Sequence, residues 1–360
     1  YLKVCQFKEM NVAIVGATGY GGIQAVNLLK KNKKYKISFL GGNKTSGSKW
    51  NDNFPFIYLD DDPYIEEISI ENISNKADIA LLCLPNGISS TLTRKLLDKG
   101  IKVIDLSADY RYKSLDEWKK IYSKEAAIYK RNDDDLCKEA VYGIPELNKE
   151  AIANARLIAC PGCYPTSALI PLAPLLSQGI IENDGIVIDS KSGTSGGGRE
   201  PNQKLLLSEC GEGLSAYGLI NHRHTSEIEQ IASSISGNNI ELLFTPHLIP
   251  ISRGMLSTIY GRLKDPGLTS DDCRILLDNF YRNFNNIKVL PVDTYPSTKW
   301  VKNTNQIVLS VKVDSRNGRI IILSVIDNLL KGQTGQAIQN LNIMSGFSID
   351  DGLELTNNFP

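Results

Sequence analysis

The chain has 360 residues, which at roughly 150 residues per domain predicts two domains and a sizeable buried core. Hydrophobic residues make up 42% and charged residues 22%, which excludes a disordered, collagen-like or coiled-coil chain. Lys and Arg total 40 and Asp and Glu total 40, so no net field favours a nucleic acid or a membrane as partner.

Cysteine usage and the lack of targeting signals indicate where the protein works. The seven Cys are odd in number and scattered, in a chain too large to need disulfide staples. No apolar run reaches the roughly 18 residues of a membrane span, and the first ten residues lack the apolar stretch of a signal peptide. We expect a cytoplasmic protein, or an organellar one without its transit peptide.

The first half of the chain alternates strand and helix patterns. Strands are predicted at 11–15, 36–40, 79–84 and 102–106, and a helix at Ser89–Asp98. Such alternation predicts a parallel, Rossmann-like α/β domain. The stretch 51–75 is polar and gives no clear elements.

The second half reads as strands with few helices between them. Strands are predicted at 186–189, 240–244, 255–263 and 306–314, and antiparallel pairing is expected. Asn317 and Gly318 suit a tight hairpin turn between two strands. A helix over 335–344 closes the chain, and the fold class is a Rossmann-like domain with a second α+β domain on a mostly antiparallel sheet.

A glycine cluster links the first strand to a helix. Its spacing, Gly16-x-x-Gly19-x-x-Gly22, departs from G-x-G-x-x-G and is weak as a fingerprint. Its place between strand and helix, where free N–H groups and the helix dipole favour phosphate, favours dinucleotide binding over a structural turn.

The end of the second strand indicates which dinucleotide binds. An NAD site usually has an Asp or Glu about 20 residues after the glycines, to hold the ribose 2′-OH. Here Lys44, Thr45 and Ser46 follow the strand and no carboxylate is present. This favours NADP over NAD, the alternative being that Lys44 is a solvated loop lysine.

Cys163 is the best candidate for a nucleophile. It follows the turn made by Pro161 and Gly162 and lies at the start of an apolar helix pattern, where the helix dipole lowers a thiol pKa. Cys160-x-x-Cys163 also suits a redox pair or half a zinc site. The zinc site would lack its second C-x-x-C, and the chain is no small thioredoxin-like domain, so no metal is expected.

Two of the three histidines provide the candidate acid/base. They flank one arginine, at His222 and His224, before a predicted helix. Glu227 follows His224 by three residues, where it would orient the imidazole of a base. His224 is our first choice for the proton shuttle and His222 the second.

Taken together, the motifs resemble the N-acetyl-γ-glutamyl-phosphate reductase family, in the family's order and over nearly the whole chain. They are the glycine cluster, the two segments around Cys163 and His224, and three further segments at 189–199, 244–254 and 327–342. The cysteine and His-Arg-His motifs separate this family from the related aspartate-semialdehyde dehydrogenases.

The resemblance implies NADPH-dependent reduction of N-acetylglutamyl 5-phosphate to N-acetylglutamate 5-semialdehyde, with release of phosphate, in arginine biosynthesis. A Cys163 thioester would be the intermediate, and His224 would move the protons. The alternatives are another acyl-phosphate reductase, such as an aspartate-semialdehyde dehydrogenase, or a non-catalytic NADP-binding redox sensor that signals through Cys160 and Cys163.

The resemblance also assigns residues to the two ligands. Arginine pairs with phosphate and carboxylate in bidentate fashion, so the substrate-binding candidates are Arg111, Arg199 and Arg253, each with a salt-bridge role as its alternative. The residues that would contact NADP are Gly16, Thr18, Gly19, Tyr20, Gly21, Gly22, Lys44, Thr45, Ser46, Pro85, Gly193, Ser195, Gly196 and Asn328.

Domain limits follow from these assignments. The NADP-binding domain is predicted to be discontinuous, at 10–162 and 328–360, because Asn328 and the last helix would return to it. Residues 163–327 would form the catalytic and oligomerisation domain. The family likeness implies a small-molecule substrate and a homodimer or homotetramer.

Overall fold

The computed structural model describes residues 9–354, which divide into two compact units. The first unit comprises residues 9–160 and Ala337–Gly352, and the second comprises Pro161–Gln336 with Leu353 and Glu354. The first unit is discontinuous, and it resumes at Ala337 rather than at position 328, so Asn328 lies in the second unit. Cys5 and positions 355–360 lie outside the described residues.

The first unit is built on a six-stranded sheet in which every neighbouring pair runs parallel. This confirms the predicted Rossmann-like sheet. In chain order the strands are β1 (Met10–Val15), β2 (Tyr35–Gly41), β3 (Ile79–Leu82), β4 (Lys102–Asp105), β5 (Val141–Tyr142) and β6 (Leu157–Ala159). Their spatial order is β2-β1-β3-β4-β6-β5. All residues of β3 are buried, as expected for a central strand covered on both faces.

Helices connect these strands. The predicted helix at Ser89–Asp98 is confirmed, and the stretch 51–75, which gave no clear pattern, contains two short helices and a 3₁₀ turn at Pro55–Ile57. The helices of this part of the chain are α1 (Tyr20–Leu29), α2 (Trp50–Asn53), α3 (Ile70–Ser74), α4 (Ser89–Asp98), α5 (Leu115–Ile121), α6 (Ser123–Ile128), α7 (Asp134–Glu139) and α8 (Pro145–Asn154).

The second unit is built on a seven-stranded mixed sheet, in the order β11-β12-β13-β10-β7-β9-β8. Most neighbours are antiparallel, as predicted, but β7 with β9 and β11 with β12 pair in parallel. Gly318, with φ of 66°, lies in the predicted hairpin turn between β12 and β13. The strands are β7 (Ile186–Ser192), β8 (Ser215–Ala216), β9 (Leu242–Leu248), β10 (Met255–Arg262), β11 (Ile287–Val289), β12 (Ile307–Asp314) and β13 (Arg319–Ile326).

One long helix forms the centre of this unit. α9 (Cys163–Ser177) is buried from Tyr164 to Leu176 and packs against β10 and β13, so its hydrophobic residues form the core beneath the sheet. The other helices are α10 (Leu207–Cys210), α11 (Arg223–Ser236), α12 (Ser270–Tyr281) and α13 (Thr298–Val301). A π-helical segment, Leu330–Thr334, leads into α14 (Gly335–Met344), the predicted closing helix, which belongs to the first unit from Ala337 onward.

Within residues 9–354, no helix combines the length and the apolar character that crossing a membrane requires.

Candidate active site

Cys163 is the first residue of α9, with Gly162 as the N-cap. The preceding Pro161 and Gly162 turn the chain so that the helix begins at the thiol, which is partly exposed. The positive end of a helix dipole stabilises an anion at this position, and a thiolate is the nucleophilic form of cysteine. The structure therefore places Cys163 in the setting that the sequence predicted.

His224 lies against the backbone of that same turn. A Cβ atom added to Gly162 would come within 2.3 Å of His224 Nε2. No side chain fits between them, so glycine at position 162 lets the imidazole approach the residue before the nucleophile. The predicted base and the predicted nucleophile are thus brought together by one glycine.

His222 acts as the N-cap of α11. Its Nδ1 atom accepts a hydrogen bond from His224 N at 3.1 Å. Burial, assisted by the nearby charge of Arg223, lowers the pKa of His222 to about 4. The ring is therefore neutral near pH 7 with its proton on Nε2, which favours a capping role over the acid/base role that was our second choice.

Glu227, in α11, connects this helix to the turn that precedes Cys163. Its side chain is fully buried, and Oε1 accepts a hydrogen bond from Gly162 N at 2.9 Å. A carboxylate held in this way satisfies a backbone N–H that the helix start would leave without a partner. The contact described here is with the turn before Cys163, and the orienting role of Glu227 toward the His224 imidazole stays a prediction.

Aromatic rings surround the two histidines. Tyr164 lies 5.8 Å from His224 and 5.2 Å from Phe244 between ring centroids, and its hydroxyl is 3.0 Å from that of Tyr217. Burial raises the pKa of Tyr217 to about 12 and also raises that of Tyr164, so both hydroxyls are neutral donors near pH 7. The sequence analysis did not predict this group of aromatic residues, although Tyr164 directly follows Cys163.

Gly332 closes the site behind the nucleophile. A Cβ atom on Gly332 would lie 2.9 Å from Cys163 Cβ, which is closer than real Cβ contacts come. Gly332 belongs to the π-helical segment, a geometry that often marks functional sites. The only sequence signal for it was its place in the motif after Asn328.

The predicted nicotinamide loop is held by backbone hydrogen bonds. Gly193 N donates to Gly254 O at 2.9 Å and Ser195 N donates to Ser252 O at 3.1 Å, while Gly196 is exposed. Asn328 joins both segments, since its Nδ2 donates to Ser195 Oγ at 2.9 Å and its Oδ1 accepts from Gly254 N at 2.8 Å. The sequence predictions for Gly193, Ser195, Gly196 and Asn328 therefore fall in one hydrogen-bonded cluster.

The glycine turn of the first unit has the close packing of a phosphate cradle. Gly16 has φ of 83°, and a Cβ on it would lie 2.3 Å from Cys83 O. A Cβ on Gly22 would lie 2.3 Å from Gly16 O, whereas one on Gly19 would come no closer than 3.6 Å to its nearest neighbour. Gly16 and Gly22 thus allow the strand and the helix to pack, and Gly19 leaves open space at the start of α1.

The other predicted cofactor residues border this turn. Gly16 N donates to Gly41 O at 3.0 Å, so the end of β2 lies beside the glycines. Just beyond that end, Lys44 and Ser46 are exposed and Thr45 is half-buried. Pro85, which follows β3, is exposed. At the glycine turn itself, Thr18 and Tyr20 are accessible and Gly21 is buried. A pyrophosphate at the start of α1 fits these residues.

Comparisons with known proteins agree with this geometry. Two family models match the chain: "Semialdehyde dehydrogenase, NAD binding domain" at residues 11–155 and "Semialdehyde dehydrogenase, dimerisation domain" at residues 163–328. A protein of Prochlorococcus marinus strain MIT 9301, named N-acetyl-gamma-glutamyl-phosphate reductase, is 91% identical over 98% of this chain and 100% of its own. The protein of that name from strain MIT 9211 is 57% identical over 97% of each chain. The chain belongs to the N-acetyl-γ-glutamyl-phosphate reductase family.

Solved structures show the same fold at much lower identity. Aspartate semialdehyde dehydrogenase II of Vibrio cholerae, complexed with ASA, has a TM-score of 0.70 and 18% identity, covering 94% of this chain and 98% of its own. Aspartate semialdehyde dehydrogenase of Candida albicans, with NADP, has a TM-score of 0.69 and 15% identity over the same shares. These likenesses show a shared fold. The match to the NAD binding domain model shows that the protein uses a nicotinamide cofactor.

The three arginines predicted to bind the reductase's substrate have different surroundings. Arg111 is largely buried, and its Nε donates to Cys160 O at 2.7 Å. Arg253 pairs with the buried carboxylate of Asp327 at 3.0 Å. Arg199 is exposed at the end of the nicotinamide loop. The salt-bridge alternative is thus favoured for Arg253, and Arg199 is the most accessible of the three.

The first cysteine of the C-x-x-C motif, Cys160, differs from Cys163 in its surroundings. Cys160 is buried with 1% of its surface exposed, and burial raises its pKa to about 12. Both Cys160 and Cys163 are free thiols. Among the described residues, no group of three or more His, Cys, Asp or Glu side chains is arranged to hold a metal ion. Of the two thiols, Cys163 is the more accessible, so it stays the predicted nucleophile.

Proposed function

We propose that the protein reduces N-acetylglutamyl 5-phosphate to N-acetylglutamate 5-semialdehyde, with NADPH as reductant and release of phosphate, in arginine biosynthesis. The relatives at 57% to 91% identity carry the name of this activity. The observation that carries the proposal is the thiol of Cys163 at the start of α9 with His224 packed against Gly162, because that arrangement suits attack on an acyl phosphate.

The first half-reaction forms a thioester. His224 takes the proton of Cys163, and the thiolate attacks the carbonyl carbon of the acyl phosphate. The bond from that carbon to the phosphate oxygen breaks, phosphate leaves with the electron pair, and the acyl group remains on sulfur. Backbone N–H groups at the start of α9 are suited to stabilise the oxyanion that forms during the attack.

The second half-reaction releases the aldehyde. NADPH, when bound, supplies the hydride that reduces the thioester carbon. His224 returns its proton to the resulting alkoxide, which gives a thiohemiacetal. In its collapse the hydroxyl proton passes through His224 to sulfur, the carbon–sulfur bond breaks, and Cys163 is freed as the thiol. Proton transfer by a positioned base of this kind contributes about 10²- to 10⁴-fold to the rate.

Cofactor contacts are proposed for each unit by itself. The start of α1, where Gly16 and Gly22 allow close packing and Gly19 leaves space, would hold the pyrophosphate, because the positive end of a helix dipole favours an anion there. Lys44 with Thr45 and Ser46 would hold the 2′-phosphate of NADP. Pro85 would be a further contact of the first unit. In the second unit, the loop at Gly193, Ser195 and Gly196 would contact the nicotinamide end, with Asn328 at the carboxamide.

We also propose that the protein forms a homodimer or homotetramer, since the family model that matches residues 163–328 is described as a dimerisation domain. Light scattering coupled to size exclusion would measure the mass of the particle. A monomer at micromolar concentration would contradict this part of the proposal.

The activity is tested in the reverse direction with the purified chain. N-acetylglutamate 5-semialdehyde, phosphate and NADP should give NADPH, followed at its absorbance band, and omission of phosphate should stop the reaction. Aspartate semialdehyde is the matched control substrate and should be turned over at least about 100-fold less efficiently. Equal turnover of both would contradict the substrate assignment, and a preference for NAD would contradict the role of Lys44.

A further inference from the structure

Asp327 is a fully buried carboxylate that directly follows β13. Its Oδ1 atom accepts hydrogen bonds from Leu329 N at 2.9 Å, from Leu330 N at 3.1 Å and from the Arg253 guanidinium at 3.0 Å. Its Oδ2 atom accepts one from Asn303 N at 2.8 Å. One carboxylate therefore joins three separate segments of the second unit.

The first of these segments lies behind the nucleophile. By accepting from the N–H groups of Leu329 and Leu330, Asp327 caps the start of the π-helical segment Leu330–Thr334, and its own carbonyl accepts from Gly332 N at 3.0 Å. Gly332 packs against Cys163, with space for no side chain between them. The position of the backbone behind Cys163 thus depends on the carboxylate of Asp327.

A second connection runs through the next residue of the chain. Asn328 donates to Ser195 Oγ at 2.9 Å and accepts from Gly254 N at 2.8 Å, which fixes the predicted nicotinamide loop. Because Asp327 directly precedes Asn328 and its carboxylate accepts from the N–H groups of the two residues that follow it, a shift of Asp327 would move that amide and the loop bonded to it.

Arg253 is fixed by the same cluster. Its Nε and one terminal nitrogen contact Asp327 Oδ1, and its other terminal nitrogen donates to Asn303 Oδ1 at 3.0 Å. The arginine side chain is 16% exposed and its partner carboxylate is 0% exposed. A buried carboxylate requires a cation beside it, so the guanidinium has a structural reason to be there.

We propose that Asp327 is a positioning residue for the reaction and that Arg253 acts on catalysis through Asp327 rather than by binding the substrate. The inference rests on the proposed function in naming the reaction. Displacement of a nucleophile by about 1 Å can cost 100-fold in rate, which is the scale of effect expected from disturbing this cluster.

The test compares Asp327→Asn, Arg253→Gln, Arg253→Lys and the double variant Asp327→Asn/Arg253→Gln. Rates are normalised to the Cys163 thiol content. We expect kcat to fall by about 10- to 100-fold in Asp327→Asn and in Arg253→Gln, with the KM of semialdehyde and phosphate changed by less than about twofold. Arg253→Lys should regain most of the loss, and the double variant should be no slower than the worse single variant, because both changes act on one cluster.

A second readout needs neither substrate nor cofactor. The rate at which iodoacetamide alkylates Cys163, measured by peptide mass spectrometry across a pH series, reports the thiolate at the start of α9. We expect Asp327→Asn and Arg253→Gln to move its midpoint to higher pH. If the wild type shows this alkylation profile but no reductase activity, the proposed function fails while the positioning role is still decided by the profile.

Three results would overturn the proposal. The first is a KM for semialdehyde or phosphate at least about tenfold higher in Arg253→Gln at unchanged kcat, with additive losses in the double variant, since that is the pattern of a substrate-binding arginine. The second is a wild-type kcat and alkylation profile in Asp327→Asn. The third is a lower melting temperature with unchanged kcat per thiol. If Asp327→Asn does not fold, Arg253→Gln decides by the same criteria.

Discussion

The two units hold their candidate functional groups by different means. In the first unit the close contacts at the cofactor turn are made by backbone atoms, since Gly16 and Gly22 leave no space for a side chain. In the second unit the nucleophile is held by side chains from distant segments, Glu227 at Gly162 N and Asp327 at the start of the π-helical segment. A nicotinamide cofactor carries its own reactive group, so the protein has only to bind it in a fixed position. A reactive thiol also needs neighbouring groups that set its ionisation and its position.

Replacement of His224 gives the largest effect expected among the variants that keep Cys163. His224→Asn removes the proton shuttle beside Cys163, and we expect kcat to fall by about 10²- to 10⁴-fold. The matched control is His222→Asn, which keeps an N-cap acceptor for α11 and should stay within about threefold of the wild type. Steady-state rates across pH 6 to 9 measure both variants. A rate for His224→Asn close to that of the wild type, with His222→Asn inactive, would reverse the two roles.

Two glycine-to-alanine substitutions test whether the cofactor turn depends on close backbone contacts. Gly16→Ala combines positive φ with a clash at Cys83 O, and should lower the free energy of unfolding by about 3 kcal/mol and NADPH affinity by about 100-fold. Gly19→Ala has space for its methyl group in the free chain, and should fold normally but bind NADPH about tenfold more weakly. Fluorescence titration and thermal unfolding measure both. Equal effects at the two positions would show that packing, rather than phosphate approach, accounts for Gly19.

The smallest effect concerns the pH dependence of stability in the second unit. The pKa of His222 is about 4 in the folded chain, below the unfolded value of about 6.5. The unfolded state therefore binds more protons between these values, so stability is full above about pH 6.5 and falls as pH decreases toward 4. Between pH 7 and pH 5 this loss is up to about 2 kcal/mol, and His222→Asn should lack it. Urea unfolding at the two pH values measures the difference, and identical losses in both proteins would show that burial of His222 is not its cause.

The same contrast explains what could be predicted from the sequence. The glycine turn, the start of α9 and the hairpin at Asn317 and Gly318 depend on residues close together in the chain, so spacing and periodicity predict them. The bond between Glu227 and Gly162 joins residues far apart in sequence, and the Asp327 carboxylate joins three separate segments. Periodicity holds no information about such pairs, which depend on how α11 and the second sheet pack.

Arg253 and Asn328 show a second limit of prediction from the sequence. The resemblance assigned both to ligands, and their residue types suit that chemistry. In the structure, each is also part of the hydrogen-bond network that holds the chain around the site. A residue type alone does not distinguish a side chain that contacts a ligand from one that positions the residues that do.

The central claim, that Cys163 is the nucleophile held at the start of α9, is tested most directly by comparing Cys163→Ala with Cys160→Ala. Both variants would be assayed for phosphate-dependent NADP reduction with N-acetylglutamate 5-semialdehyde. We expect Cys163→Ala to lose about 10³-fold or more, and Cys160→Ala, whose thiol is buried with a pKa of about 12, to keep at least about a third of the activity. Full activity in Cys163→Ala, or loss in Cys160→Ala alone, would contradict the account.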